Sequence, residues 1–373
     1  MILGVFLHAT IAYKAYPQPV WPHDPDYQSI GYDYLYFFIH SFRMESFYLI
    51  AGFFARLLWL RIGTDKFIIH RIKRVLIPFV ACVLILVPIT ITPFIYYREF
   101  SSTQINSWSL FISSMRTSFT SWNGMAHLWF LYYLMMMYTV MMLFLNFRNN
   151  QKVIEIKAFI DRWFVSTIKN PRSIWIIIMI NFGILLTFET LLVDAYTGLF
   201  PQWNRLLYYG LFFGYGWLLH KQVDYLDLYK TRVKLNLTVG FVLSLMVFYL
   251  STNGQYTLPD ILLKLLISAQ TWTLVIGFLG LFLLAFSNEN KPLRFISDSS
   301  YWLYLIHMPI VAWMQILLIG SSVPVEFRFL LINTVTIAIA LVTYRYLVRY
   351  TFIGRVLHGK RNKPYMSPSK VTV

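Results

Sequence analysis

The stretch FFIHSFRMESFYLIAGFF, Phe37 to Phe54, decides the fold, because it sets His40, Arg43 and Glu45 inside a run otherwise apolar enough to cross a bilayer. A cation at the centre of a membrane helix costs at least ~2.5 kcal/mol on insertion scales, so such a residue ordinarily faces a bundle interior or a wet cavity and acts there. Two readings are open. Arg43 and Glu45 neutralise each other as a packing pair, or they belong with His40, one turn away, to a polar site. Ionisable residues in other apolar runs favour the second.

Composition carries the same message across the chain. Hydrophobic residues make up 58% and charged residues only 13%, with a mean hydropathy of +0.57, which indicates an all-α polytopic membrane protein and not a water-soluble domain. The formal charge of +16 sits in short Lys/Arg clusters between apolar runs. It reads as a topology signal, with a lipid bilayer and no nucleic acid as partner. The single cysteine, Cys82, rules out disulfides within the chain. No HExxH or similar spacing occurs among the histidines, so neither a metal nor a permanently bound cofactor is expected.

Working outward from Phe37–Phe54, the spacing predicts about ten transmembrane helices: 1–13, 34–60, 75–97, 127–147, 173–193, 203–219, 235–250, 262–286, 301–319 and 327–348. The alternate connections and the tail from Arg349 hold nearly all the loop Lys and Arg, against Lys14, Arg98 and Arg116 in the others. Both termini are therefore expected in the cytoplasm of a multi-pass cell (inner) membrane protein. Residues 1–357 read as one domain and 358–373 as a basic, disordered tail. The first span is short of the roughly 20 residues a crossing needs, so further residues are expected upstream. The outer connection 98–126, rich in Ser, Thr and Asn, is expected to fold over an outer opening, and the amphipathic inner connection 148–172 to lie on the membrane surface. Pro78, Pro88 and Pro93 are expected to bend the third helix.

Depth then groups the polar residues. His8, His40 and Arg43 fall in the outer half of their helices, His127 and Trp129 start the fourth helix from the same side, and His307 lies near mid-membrane beside Pro309. Arg71, Lys73 and Arg74 form a cationic patch at the end of the inner loop, just before the third helix. Plainer roles exist for each: a packing histidine for His8, topology charges for the patch, a kink for His307, an interfacial anchor for His127 and Trp129. Glu189, Asp194 and Asp298 read as structural residues near helix ends.

Four ordered segments now carry a resemblance: LGVFLHA (Leu3–Ala9), FIHSFRMESFYLIAGFF (Phe38–Phe54), HLWFL (His127–Leu131) and SxxSYWLYLIHMPI (Ser297–Ile310). Together they resemble the integral-membrane acyltransferase type 3 family, and within it the glucan-succinylating branch. The resemblance implies a ten-helix plan and transfer of an acyl group from cytoplasmic acyl-CoA, succinyl-CoA or acetyl-CoA, to a hydroxyl of an extracytoplasmic glycan. It implies that His8 is the catalytic base and that Arg71 and Arg74, the family's RxxR motif, handle the acyl donor. In two places the chain departs from the pattern. The family's arginine about ten residues before the histidine would precede Met1, and Ala51-Gly52 stands where many members have Ser-Gly.

The residue types suit that chemistry. A neutral imidazole can take the proton of a sugar hydroxyl attacking a thioester, the role expected of His8. Arg43 is placed to stabilise the oxyanion or to hold a succinyl carboxylate, and both options stay open. Glu45 is expected to orient His8 or Arg43. Arg71, Lys73 and Arg74 are expected to bind the phosphates of acyl-CoA, and His40, His127, Trp129, Tyr304 and His307 to contact substrate. A transporter of an organic anion or lipid-linked sugar is the competing class, but it would be expected to show inverted repeats, and none stands out.

Overall fold

A computed structural model describes residues 1–103, 107–121, 124–147, 150–252, 259–286, 290–359 and 361. Helices dominate and no strand occurs among the described residues; the one β-bridge joins Lys14 to Ser29. In chain order the elements are α1 (Ile2–Thr10), which tightens into a 3₁₀ turn at Ile11–Tyr13, α2 (Ile30–Ile62), α3 (Thr64–Arg71), α4 (Ile77–Thr103), α5 (Trp108–Thr120), a 3₁₀ turn at Ala126–Leu128, and α6 (Trp129–Asn146). They continue as α7 (Gln151–Lys169), α8 (Ile174–Leu185), α9 (Trp203–Lys221), α10 (Asp227–Thr231), α11 (Val233–Thr252), α12 (Asp260–Ala285), α13 (Lys291–Leu318), α14 (Val325–Thr343) and α15 (Phe352–His358).

Six helical stretches among the described residues are long and apolar enough to cross a membrane: Thr64–Thr103, Ala126–Asn146, Val233–Thr252, Asp260–Ala285, Lys291–Leu318 and Val325–Val348. Ile2–Tyr13 and Ile174–Leu185 are apolar but shorter. The fold is all-α and that of a polytopic membrane protein.

Several local expectations are corrected. Arg71, Lys73 and Arg74 lie not in a loop but in a helix that runs from α3 through a π-helical turn (Ile72–Leu76) into α4. Pro78 has no N–H to return to the Arg74 carbonyl, and the Tyr301 hydroxyl of α13 donates to that oxygen instead, at 3.4 Å. Much of the outer connection is helical: α5 lies back along α4, with the Thr92 and Ser118 hydroxyls 2.9 Å apart and Phe111 against Trp313. The fifth expected span ends at Leu185, eight residues early. There the buried ammonium of Lys264 on α12 takes the Phe188 carbonyl, satisfying a backbone group that a longer helix would have used.

At the C-terminus, α15 packs against the π-helical turn, and Arg361 is tied by both guanidinium nitrogens to the carboxylate of Asp298, inside α13. Arg361 is thus held, contrary to a tail disordered from residue 358; residues 360 and 362–373 lie outside the described residues. Asp298 is structural, as expected, but it sits within a helix and not near its end.

The tightest helix pair is α2 with α9. A Cβ built at Gly52 would overlap the Phe213 carbonyl, and one at Gly216 would overlap the Leu49 carbonyl, so the two backbones touch. Close approach through small residues is the usual means of joining helices in lipid, where hydrophobic burial does not drive association. Gly216→Ala forces this contact apart, and we expect it to cost about 1–3 kcal/mol of stability, read as a lower thermal unfolding midpoint in detergent.

Candidate active site

Residues two apart on a helix do not share a face, and α2 uses this. Glu45 turns inward, 4% exposed, and its Oε1 accepts a hydrogen bond from the Tyr208 hydroxyl of α9 at 3.0 Å. Arg43 turns the other way, onto a cavity, and has no carboxylate within ion-pair distance among the described residues. Its Nε is buried with no hydrogen-bond partner. The reading of Arg43 and Glu45 as a packing pair is therefore set aside. Nor does the structure place Glu45 where it could orient His8; it is not among the residues lining the cavity.

Helix α1 supplies the opposite wall. Gly4, one turn before His8, leaves room for the guanidinium: a Cβ there would lie 3.2 Å from Arg43 Nη1 and 4.0 Å from His307 Nε2. The His8 ring stacks on Trp21, with centroids 5.4 Å apart and planes 9° from parallel, and stands 5.3 Å from the His307 ring. His8 Nδ1 has no protein partner.

The HMPI sequence of α13 builds the third wall. Pro309 cannot donate to the Leu305 carbonyl four residues back, and His127 Nε2 takes that oxygen at 3.0 Å. A carbonyl only accepts, so His127 carries its proton on Nε2. The bond is answered by the Tyr304 hydroxyl, which donates to the His127 carbonyl at 2.8 Å. His307 donates from Nδ1 to the carbonyls of Tyr304 (2.8 Å) and Leu303 (3.2 Å), leaving its Nε2 lone pair toward Gly4 and Arg43. Two of the four cavity histidines, His127 and His307, are thus fixed in tautomer by backbone oxygens. Just after α1, Lys14 sits 3.7 Å from Asp33 and 4.4 Å above the ring of Tyr36, another lining residue. Burial lowers the Lys14 pKa, and Asp33 opposes the shift.

The cavity measures about 210 Å³. It brings together His8, His40, Arg43, His127, Trp129, Tyr304 and His307, which come from four separate segments of the chain. The segments 14–29 and 186–202 contribute Gln18, Trp21, Ala195 and Thr197, whereas the described residues of the 98–126 connection contribute only Ala126, at its very end. The expected cover over the opening is therefore built by other segments. Arg71, Lys73 and Arg74 do not line it. Arg71 lies over the rings of Phe67 and Tyr138 and donates to the Tyr138 hydroxyl at 3.4 Å, Arg74 is half-buried against Gly359, and Lys73 is exposed. Tyr138 is nine residues along α6 from Trp129, which puts Arg71 roughly 14 Å from the cavity wall. Tyr304 and Tyr301, stacked one turn apart on α13, bridge the interval from the cavity to Arg74.

An imidazole and an unpaired guanidinium on facing walls of one cavity form a set suited to acyl chemistry, and the comparisons with known proteins agree. The model of the acyltransferase domain (acyltransferase 3) matches residues 1–343. The chain belongs to the acyltransferase 3 family. Glucans biosynthesis protein C of Escherichia coli strain SMS-3-5 is 30% identical over 151 residues, which is 40% of this chain and 37% of that protein. The protein of the same name from strain O6:K15:H31 matches at the same identity and coverage, and that from strain K12 at 29%. The alignment thus spans little more than a third of these relatives. No solved structure matches.

Of the residues that shape this site, Gly4, Trp21, Tyr36 and Gln315 were not singled out in the sequence. Each acts through a partner distant in the chain, and only the helix packing makes them neighbours. Gly4→Val would crowd Arg43, and we expect transfer to fall about 10²-fold while the protein still inserts, checked by initial rates at equal membrane content.

Proposed function

We propose that the chain transfers an acyl group from cytoplasmic acyl-CoA to a hydroxyl of an extracytoplasmic carbohydrate such as a periplasmic glucan, at the cavity between α1, α2 and α13. The observation that carries this reading is the placement of His8 and Arg43 on facing walls of one cavity, with Arg43 unpaired among the described residues.

In this mechanism His8 removes the hydroxyl proton as the oxygen attacks the thioester carbonyl. The carbon–oxygen bond forms, a tetrahedral oxyanion collapses, the carbon–sulfur bond breaks, and the departing thiolate takes up the proton. Arg43 supplies a fixed positive charge in a water-poor site, where such a charge is worth more than in solution. The same guanidinium can pair bidentately with the free carboxylate of a succinyl group. Arg71 and Arg74, with the exposed Lys73, form the inner cationic site for the coenzyme A phosphates. His40, Trp129, Tyr304 and His307 line the path by which acyl group and acceptor meet.

The test uses the purified protein in sealed vesicles, with labelled succinyl-CoA or acetyl-CoA on one side and glucan on the other. Label recovered on the glucan supports the reading. Glucan or acyl donor crossing unmodified, with no labelled ester formed, overturns it in favour of transport.

A further inference from the structure

The candidate base is held by two residues outside the reacting set. Trp21 lies in the segment between α1 and α2; its ring packs edge-on against Phe94 of α4 and face-on against the His8 imidazole. Its Nε1–H donates to Gln315 Oε1 at 2.9 Å. Indole is a donor only, so this bond fixes the Gln315 amide with oxygen toward Trp21 and nitrogen toward α1. There Nε2 donates to the carbonyls of His8 (3.0 Å) and Ala9 (3.3 Å), at the point where α1 tightens into its 3₁₀ turn and the His8 carbonyl also accepts from the Ile11 backbone N–H. Gln315 is 1% exposed and lies eight residues past His307 on α13, about 12 Å along the helix. One side-chain pair therefore grips both the ring and the backbone of His8, and its geometry is complete without substrate.

We infer that Trp21 and Gln315 are positioning residues: together they hold the His8 imidazole in the orientation from which it takes the acceptor's proton. The inference rests on His8 being the base. A stacked ring keeps its plane but rotates and slides only at the expense of contact area, and the Gln315 amide prevents the indole from following it. Trp21 lines the cavity as well, so the alternative role for it is an acceptor platform, which would act on binding and not on turnover.

The experiment measures kcat and KM for acyl-CoA and acceptor in His8→Ala, Trp21→Ala, Trp21→Phe, Gln315→Met and the double variant Trp21→Phe/Gln315→Met. Loss of the ring in Trp21→Ala is expected to lower kcat about 10²-fold with both KM values within about twofold of wild type. Trp21→Phe keeps the stack but not the N–H, and it and Gln315→Met are each expected to lose roughly tenfold in kcat, with the double variant no worse than either. A wild-type kcat in Trp21→Ala, a change confined to acceptor KM, or independent losses that multiply in the double variant would each overturn the inference. If Trp21→Ala does not fold, the Phe and Met variants decide by the same coupling. An active His8→Ala protein would instead remove the underlying assignment of the base, so the two failures are told apart.

Discussion

His8→Ala is expected to reach the membrane in normal amount and to lose acyl transfer by roughly 10²- to 10⁴-fold, the range that a positioned general base contributes. Insertion should be unaffected because His8 makes no side-chain hydrogen bond from Nδ1 and its ring only stacks, on Trp21 and near His307. The measurement is labelled ester formed per mole of purified protein, with thermal unfolding as the control for folding. Wild-type turnover in this variant would take His8 out of the mechanism and leave His307, whose Nε2 lone pair also faces Gly4 and Arg43, as the base to test.

The second large effect is at Arg43, and it separates two roles that the geometry allows together. Arg43→Gln removes the charge. If the guanidinium stabilises the oxyanion, kcat should fall about 10²- to 10³-fold with succinyl-CoA and acetyl-CoA alike. If it holds the succinyl carboxylate, the loss should fall on succinyl-CoA alone and acetyl transfer should persist. Arg43→Lys sharpens the distinction, because an ammonium replaces the charge but not the planar two-pronged contact. The absence of a carboxylate beside Arg43 among the described residues makes either loss specific to ligand, since the substitution strands no protein counter-ion.

The fold was readable where long apolar runs are broken by charge. The run around Arg43 carried most of the information, since a cation at that depth must face something polar, and the structure gives it a cavity shared with His8, His127 and His307. Depth counting was sufficient to group these residues because a helix rises uniformly. It failed where a helix is completed or stopped from outside. Nothing local announces that Lys264 ends the helix after Leu185, or that the run before Val75 continues as helix through a π-helical turn. Face assignment failed once, at Glu45, which a two-residue offset from Arg43 sends to Tyr208 on α9 and away from the cavity. The two prolines were legible as breaks but not as donors of free carbonyls to His127 and Tyr301, because those partners lie on other helices. Ala51-Gly52 was read as a lost serine; its glycine is instead a place where two backbones meet.

That backbone meeting of Gly52 with α9 and Gly216 with α2 fixes the helix that carries Arg43 against α9. Arg43 sits on that pair, whereas His8 sits on α1, which packs on both α2 and α13 and is bonded to α13 through the Gln315 amide. The boundary between them runs where Gly4 meets the guanidinium. A side chain larger than hydrogen at that seam is therefore expected to prise imidazole and guanidinium apart while leaving the glycine contacts that anchor α2 untouched.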